Sequence, residues 1–173
     1  MVTAAASARR GETDPWLKAQ NMEQANISLV ELEISIHAPK EKVWKALVDD
    51  TTFWWPRNFY ANPAAVGYHI EPKLGGRMYE DWGNGNGLVW AQVFGVNAPD
   101  SIHLTGCVAP PYGLSHNLLT LQLEEKDGVT MLKLSDATIG RVDATGDKVA
   151  GWKELFEGSF KVYVETGKKV SAA

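Results

Sequence analysis

The sequence predicts an α+β domain in which a seven-stranded antiparallel sheet curves around one long C-terminal helix. Three observations indicate this fold: a strand and helix beginning near residue 27, six further strand-like segments separated by turn residues, and a long apolar helical stripe near the C-terminus. The chain has 173 residues, 45% hydrophobic and 22% charged, so it can bury a core of its own. We divide it into a peripheral extension (1–26), the domain (27–168) and a tail (169–173).

The first strand is predicted over residues 27–36, where ISLVELEISI alternates with a period of two. One face of this segment is almost wholly apolar, which is typical of a strand with one buried face. The helix that follows opens at Pro39, because proline is favoured at a first helical position. Val43 and Leu47 then lie on one side of this helix and predict its buried face.

An aromatic segment, TTFWWPRNFY at residues 51–60, follows that helix. Pro56 ends any helix there and turns the chain, because proline lacks an amide donor and restricts the residue before it. We interpret the segment as a lid whose rings pack under the C-terminal helix or line the mouth of a cavity. Trp54 and Trp55 face about 100° apart on a helical turn, and we expect Trp55 to point inward with Phe59 on the same side.

The remaining strands are joined by short turns, which predicts an antiparallel meander. They are predicted at residues 65–72, 75–82, 87–96, 101–108, 117–125 and 129–140. The Asn-Gly steps at 84–87 are a strong hairpin signal. A final helix, from about 147 to 166, carries apolar residues at spacings of three and four. Its stripe consists of Val149, Trp152, Leu155, Phe156, Phe160 and Tyr163.

Charge and cysteine content limit the partners and the location of the protein. A net charge of −4 argues against duplex nucleic acid or an anionic membrane as a partner, because both attract basic surfaces. No segment has the roughly 20 apolar residues of a membrane span, and the start lacks the apolar region of a secretory signal. Cys107 is the single cysteine, so a reducing, cytoplasmic setting fits best. Within the extension, Asp14 and Pro15 predict the start of a short helix.

Six stretches of the sequence resemble, in order, those of one superfamily. They are IHAPKEKVWKAL, FWWPRNF, KLGGRMYEDW, WAQVFGVNAPDSIHLT, DGVTMLKLSD and GWKELFEGSFKVYVE. Together they resemble the START/birch-pollen-allergen (SRPBCC) superfamily with its helix-grip fold, and within it the homologues of the activator of the heat-shock protein 90 ATPase. The resemblance implies a hydrophobic cavity between the sheet and the C-terminal helix. It implies less about activity, because the superfamily includes lipid and hormone carriers, polyketide cyclases and aromatases, and co-chaperone domains.

The aromatic residues are more numerous than a core needs, which favours an aromatic-lined ligand cavity. Tyr79 and Trp82 are alternatives, because they lie on opposite faces of one strand and the sequence leaves open which face is concave. His103 points toward the cavity or toward solvent, and His116 is a rim candidate in a loop. The candidate ligand-binding residues are Trp54, Trp55, Phe59, Tyr79, Trp82, Trp90, His103, His116, Trp152 and Phe156.

Asp136 and His103 are the candidates for catalysis. Asp136 continues the strand face of Leu132 and Leu134. If that face looks into the cavity, the Asp136 carboxyl group lies in an apolar cleft and can act as an acid or base. The alternative is that the strand has ended and Asp136 caps a turn. The four histidines lack metal-binding spacing, so we expect no metal and no other cofactor.

These patterns leave three functions open. The first is binding of a hydrophobic, aromatic or lipid-like small molecule in the cavity. The second is an enzyme of the polyketide cyclase, aromatase or hydrolase kind, which requires polar groups that converge inside the cavity. The third is a chaperone-associated interaction domain, which requires a filled interior and an exposed apolar patch. A homodimer and a chaperone both stay open as protein partners.

Overall fold

The computed structural model describes residues 25–107, 115–140 and 145–170. Within these ranges the chain forms one seven-stranded antiparallel sheet and a long C-terminal helix, so the predicted α+β helix-grip fold is confirmed. The short helix predicted at Asp14 lies outside the described residues. No helix in the described ranges is long and apolar enough to cross a membrane.

The strands follow the sequence prediction to within a few residues at each end. Their bounds are β1 Asn26–Ile36, β2 Gly67–Ile70, β3 Arg77–Gly83, β4 Asn86–Asn97, β5 Ser101–Cys107, β6 Ser115–Lys126 and β7 Val129–Gly140. The spatial order is β1-β7-β6-β5-β4-β3-β2, with every neighbouring pair antiparallel. Strands β2 to β7 are therefore a meander, while β1 pairs with the last strand and lies at the edge opposite β2.

Two short helices connect these opposite edges. Helix α1 spans Lys40–Val48, helix α2 spans Thr51–Trp54, and a single 3-10 turn follows at Arg57–Phe59. Trp55 leaves α2 in an extended conformation, with φ −78° and ψ 114°, directly before Pro56. The proline therefore follows the end of the helix, as its chemistry predicts.

The β3–β4 hairpin confirms the turn predicted from the two Asn-Gly steps. Asn84 and Gly85 take φ values of 55° and 77°, and Gly83 pairs with Asn86 across the turn. Positive φ at both central residues is typical of a type I′ turn, which favours asparagine and then glycine. The hairpin sets the register of β3 against β4 at this end of the sheet.

The C-terminal helix, α3, lies across the concave face of the sheet. It consists of three consecutive segments: α-helical Thr145–Lys153, π-helical Glu154–Phe160 and α-helical Lys161–Thr166. It ends at Gly167, whose φ of 73° is the left-handed cap that glycine favours. Tyr163 donates a hydrogen bond from its hydroxyl to Asp50 Oδ2 at 3.1 Å, which ties the last turns of α3 to the segment between α1 and α2.

Trp54 lies at the centre of the core. It is fully buried, and its ring centroid is 5.7 Å from that of Phe156 and 4.7 Å from that of Phe160 on α3. Its indole N–H donates to the carbonyl of Ala46 at 2.8 Å, which satisfies its one polar atom. The lid therefore packs under α3, as predicted, and fills the interior there with aromatic rings. We call the sheet face toward α3 the inner face and the opposite one the outer face.

Candidate functional site

Most buried polar side chains of the inner face gather at one end of the sheet, whereas Thr130, whose hydroxyl donates to the carbonyl of Ala38, lies at the other end. The end where they gather, the polar end, contains the β3–β4 hairpin, the first residues of β6 and the last residues of β7, and the first segment of α3 lies beside it. Leucine, isoleucine and valine dominate the rest of the inner face. Two carboxylates, Asp136 on β7 and Glu80 on β3, are fully buried at the polar end. Their strands are four positions apart in the sheet, or about 19 Å along its surface.

Asp136 accepts hydrogen bonds from three side chains and forms an ion pair with a fourth. Its Oδ1 accepts from Asn117 Nδ2 and from Thr138 Oγ1, each at 3.2 Å. Its Oδ2 accepts from Trp152 Nε1 at 2.9 Å and forms an ion pair with Lys148 Nζ at 2.9 Å. Lys148 also donates to the Thr138 hydroxyl. Two strands and the first segment of α3 thus converge on one carboxylate, which ties the helix to the sheet.

This geometry decides between the two sequence-based interpretations of Asp136. The idea that Asp136 caps a turn after the strand is wrong, because β7 continues to Gly140 and the residue faces inward. A carboxylate has about four acceptor positions, and Asp136 has three of them in hydrogen bonds besides its ion pair with Lys148. To act as an acid or base, Asp136 would first have to break one of these bonds.

Trp152 and Phe156 form an aromatic wall beside Asp136 and the side chains that bind it. Their ring centroids are 5.8 Å apart, as expected for residues one turn apart on a helix. Phe156 is fully buried, whereas Trp152 is partly exposed at the polar end. A Cβ atom built on Gly151 would lie 3.7 Å from Phe59, so the 3-10 turn after the lid tryptophans contacts the first segment of α3.

Glu80 accepts four hydrogen bonds, from β3, from β4 and from the chain that precedes β2. The backbone N–H groups of Ala61 and Asn62 donate to it at 2.6 and 3.2 Å. The indole N–H groups of Trp82 and Trp90 donate at 2.9 and 3.0 Å. The carboxylate therefore holds the connecting chain against the sheet and fixes the direction of both indole rings.

Trp55, Tyr60 and Tyr68 form an aromatic group beside Glu80. Tyr68 pairs directly with Glu80 across β2 and β3. Trp55 stacks on Tyr68 with ring centroids 4.0 Å apart and planes 12° apart, and Tyr60 meets Tyr68 edge-on at 5.7 Å. Burial, followed by the charge of Glu80, raises the pKa of Tyr68 well above its usual range. Burial also raises the pKa of Tyr60, although the neighbouring Arg57 opposes this shift.

The structure selects Trp82 over Tyr79 as the inward-facing alternative on β3. Tyr79 alternates with buried residues and lies on the outer face, where its ring contacts His69 and the Arg77 guanidinium. This placement corrects the assignment of Tyr79 to the cavity. Trp82 directs its indole N–H to Glu80 on the inner side while 36% of the residue stays exposed.

The two candidate histidines also lie on the outer face: His103 takes the solvent side of its two alternatives, and this placement corrects the choice of both as ligand-binding residues. His103 alternates with two buried residues of β5, and its Nδ1 lies 3.1 Å from Thr120 Oγ1. His116 is exposed at the start of β6, with its Nε2 2.7 Å from Thr105 Oγ1. The thickness of the sheet therefore separates His103 from the interior that Asp136 faces.

We expected Trp55 rather than Trp54 to point inward. The structure buries both lid tryptophans. Trp54 packs on α3, whereas Trp55 packs on Tyr68 of β2. The cause is the extended backbone of Trp55, which aims the adjacent rings at different elements instead of placing both on one helical turn. Phe59 does not accompany Trp55 but lies against Gly151.

Sequence reasoning missed several residues of the site: Glu80, Tyr60 and Thr138, and also Lys148, Asn117 and Tyr68. Lys148 precedes Trp152 by four residues, so helical spacing alone indicates that both lie on one face. Asn117 and Tyr68 lie on the inner faces of their strands by alternation. Nothing local distinguishes them from other half-buried polar residues, because their partners belong to β7 and to the segment before β2.

The outer face carries a shallow groove of about 430 Å³, lined in part by Glu31, Glu33, Gln122 and Lys133. It lies on the wrong side of the sheet to be the cavity that the family resemblance implies. Among the residues with described positions, no group of three His, Cys, Asp or Glu side chains could hold a metal ion.

No protein-family model matches the sequence, and no curated protein matches it. Solved structures do match. The Aha1 dimer from Colwellia psychrerythraea has 19% identity and a TM-score of 0.55, over 81% of this chain and 98% of that one. Ara h 8.0201 has 20% identity and a TM-score of 0.58, over 80% of this chain and 98% of that one. DynU16, from the dynemicin biosynthetic locus, has 21% identity and a TM-score of 0.56, over 82% of this chain and 49% of that one.

These similarities define the class of fold. The chain has the helix-grip fold, which is the fold that the resemblance of its sequence motifs implies. At these identities the likeness concerns the fold, and any function has to be argued from the site.

Proposed function

We propose that the protein binds a hydrophobic, aromatic or lipid-like small molecule between the inner face and α3, at the polar end. One observation carries this proposal: both buried carboxylates and most other buried polar groups of the inner face gather at the end where Trp152 is partly exposed. Small-molecule sites in proteins have this character, with apolar and aromatic walls and a few fixed polar groups that orient the ligand.

The same geometry favours binding over catalysis. Asp136 is held by three hydrogen bonds and the Lys148 ion pair, and His103 lies on the outer face. Glu80 is occupied in the same way by two indoles and two backbone amides. A general acid or base must reach the reacting proton, and none of these groups is free to do so without rearrangement.

Trp152 should report binding directly. A panel of aromatic and lipid ligands is screened by native mass spectrometry and by tryptophan fluorescence. We expect at least one bound species, with quenching that is largely lost in Trp152→Phe because the ligand contacts this ring. Trp44→Phe is the matched control: Trp44 lies on α1, which packs against the last segment of α3, so its loss should leave the quenching unchanged. Absence of any bound species and any quenching across the panel would refute the proposal.

Self-association is a second candidate, favoured by an exposed apolar patch on the outer face. This outer-face patch consists of Ile27, Leu29, Leu118 and Ile139, which are between 50% and 79% exposed. Strand register makes it continuous: Ile27 pairs with Ile139, and Ala137 lies between Leu29 and Leu118. Contiguous exposed apolar residues of this kind mark interaction sites. The occupant we propose is a second copy of the chain, because a structure of the same fold is a dimer.

Light scattering after size exclusion tests this candidate. We expect a dimer for the native sequence and a monomer for Leu118→Glu, because a charge within a buried apolar contact is strongly unfavourable. Leu74→Glu is the control, because Leu74 is 72% exposed in the β2–β3 connection, away from the patch. A native chain that stays monomeric at every concentration measured rules out this candidate.

A further inference from the structure

We propose that Trp55 and Tyr68 form a subsite that binds an uncharged hydrogen-bond acceptor of the ligand, such as a ketone, ether or hydroxyl oxygen. This inference rests on the proposed function, since it names the chemistry of the ligand that the inner face would hold. It is carried by the hydrogen-bonding state of two buried side chains and by the charge beside them.

The two side chains present polar atoms that have no partner. Trp55 is 7% exposed and Tyr68 fully buried, yet neither Trp55 Nε1 nor the Tyr68 hydroxyl finds a hydrogen-bond partner in the described part of the chain. Leaving a buried donor unpaired costs about 1–3 kcal/mol, so such groups are rare and call for an explanation.

The neighbouring tryptophans show that this is a property of the site. The indole N–H of Trp54 donates to a backbone carbonyl, and those of Trp82 and Trp90 donate to Glu80. Each lies on an element that contacts the Trp55–Tyr68 pair or its neighbours. The fold therefore satisfies the surrounding indoles and leaves this one donor open.

Glu80 cannot serve as the missing acceptor. It is the cross-strand partner of Tyr68, but its four acceptor positions are taken by Ala61, Asn62, Trp82 and Trp90. The pKa of Tyr68 is raised by burial and by this carboxylate, so the phenol keeps its proton and can donate. The subsite therefore offers two donors, and its one free acceptor is the phenol oxygen of Tyr68 itself.

The same carboxylate sets the charge of the ligand. An anionic ligand group at Tyr68 would lie beside buried Glu80, and two like charges at low dielectric repel strongly. A cationic group would be attracted to the carboxylate, but it offers no lone pair to the two donors. A neutral oxygen satisfies both constraints.

The shape of the pair determines how the ligand approaches. The Trp55 and Tyr68 rings are stacked 4.0 Å apart, which leaves no room for a third ring between them. The acceptor must therefore meet the edges of the rings, where the N–H and O–H groups lie. Tyr60, edge-on to Tyr68, is the next aromatic surface available to the apolar part of the ligand.

Three small probes test the subsite: acetophenone, ethylbenzene and benzoate. Each contains one benzene ring, and they differ in the group that the ring carries. Affinities are measured by NMR titration of the native chain and of Tyr68→Phe, which removes only the hydroxyl. We expect Tyr68→Phe to weaken acetophenone about five- to ten-fold and to leave ethylbenzene unchanged. The indole N–H resonance of Trp55, assigned with Trp55→Phe, should shift with acetophenone and not with ethylbenzene. Benzoate should not bind.

The stability of the ligand-free protein gives an independent measure. Tyr68→Phe should keep or raise the urea midpoint, because it removes an unpaired buried hydroxyl. Tyr163→Phe is the matched control and should lower the midpoint, since it deletes the hydrogen bond to Asp50. A lower midpoint in Tyr68→Phe would mean that the hydroxyl already has a partner, such as a bound water, and would overturn the proposal.

The binding results distinguish failure of the proposed subsite from failure of the proposed function. If acetophenone and ethylbenzene both bind and Tyr68→Phe changes neither or weakens both equally, the subsite is refuted while ligand binding stands. If no neutral probe and no member of the wider panel binds, the proposed function falls and the subsite falls with it.

Discussion

Replacing Asp136 with asparagine is expected to lower the free energy of unfolding by about 3–5 kcal/mol, the cost of removing one partner of a buried ion pair. Lys148 would keep its charge in a position where 18% of its side chain is exposed, without the carboxylate that now lies 2.9 Å away. The asparagine amide also offers a single acceptor oxygen to the groups that now donate to two carboxylate oxygens. Urea unfolding of the native and variant chains measures the difference.

A matched control comes from the other face of β7. Lys133 and Glu124 form an ion pair of 2.7 Å, with 36% and 63% of their side chains exposed. Glu124→Gln should therefore cost only about 0–1 kcal/mol. Adding Lys148→Met to Asp136→Asn should recover part of the loss, because no buried charge is then left unpaired. An Asp136→Asn protein as stable as the Glu124→Gln protein would contradict the assignment of a buried pair.

Glu80→Gln is expected to cost about 2–6 kcal/mol, because at least two of its four donors lose their acceptor at about 1–3 kcal/mol each. The donors are two backbone amides and the indoles of Trp82 and Trp90. The glutamine amide is close to glutamate in shape, so the loss arises from hydrogen bonding rather than packing. Both indoles lose a fixed orientation, which near-ultraviolet circular dichroism records.

The control for this change is Glu71→Gln. Glu71 binds the Arg77 guanidinium at 2.7 Å, but 28% and 48% of the two side chains are exposed. We expect a loss of no more than about 1 kcal/mol and an unchanged tryptophan signal. If Glu80→Gln behaves like Glu71→Gln, the four hydrogen bonds to Glu80 do not hold the connecting chain in solution.

The elements of the fold could be predicted because their signals are local. The alternation of residues 27–36 and the spacing of the stripe on α3 each depend on residues within one or two turns of chain. The turn at Asn84 and Gly85 is likewise set by the φ values these two residues accept. The meander could also be predicted, because strands joined by tight turns are antiparallel neighbours.

The site was predicted only in part. Continuing the alternation of β7 placed Asp136 on the same face as Leu132 and Leu134, and the structure agrees. On β3 both faces are mixed, with Glu80 on one and Tyr79 on the other, so alternation alone offered no choice. The choice depends on four donors, three of them from other segments, which offset the free-energy cost of burying the Glu80 carboxylate.

The sequence by itself determined the order of the elements, the inner faces of the apolar strands and the class of fold. The tertiary structure alone decided that Lys148 meets Asp136, that adjacent Trp54 and Trp55 separate toward α3 and β2, and that the Trp55–Tyr68 pair keeps unpaired donors. Periodicity is a short-range property of the chain. A polar side chain is buried, exposed or left unpaired according to partners that lie far away in sequence, and those partners are brought near it only by packing.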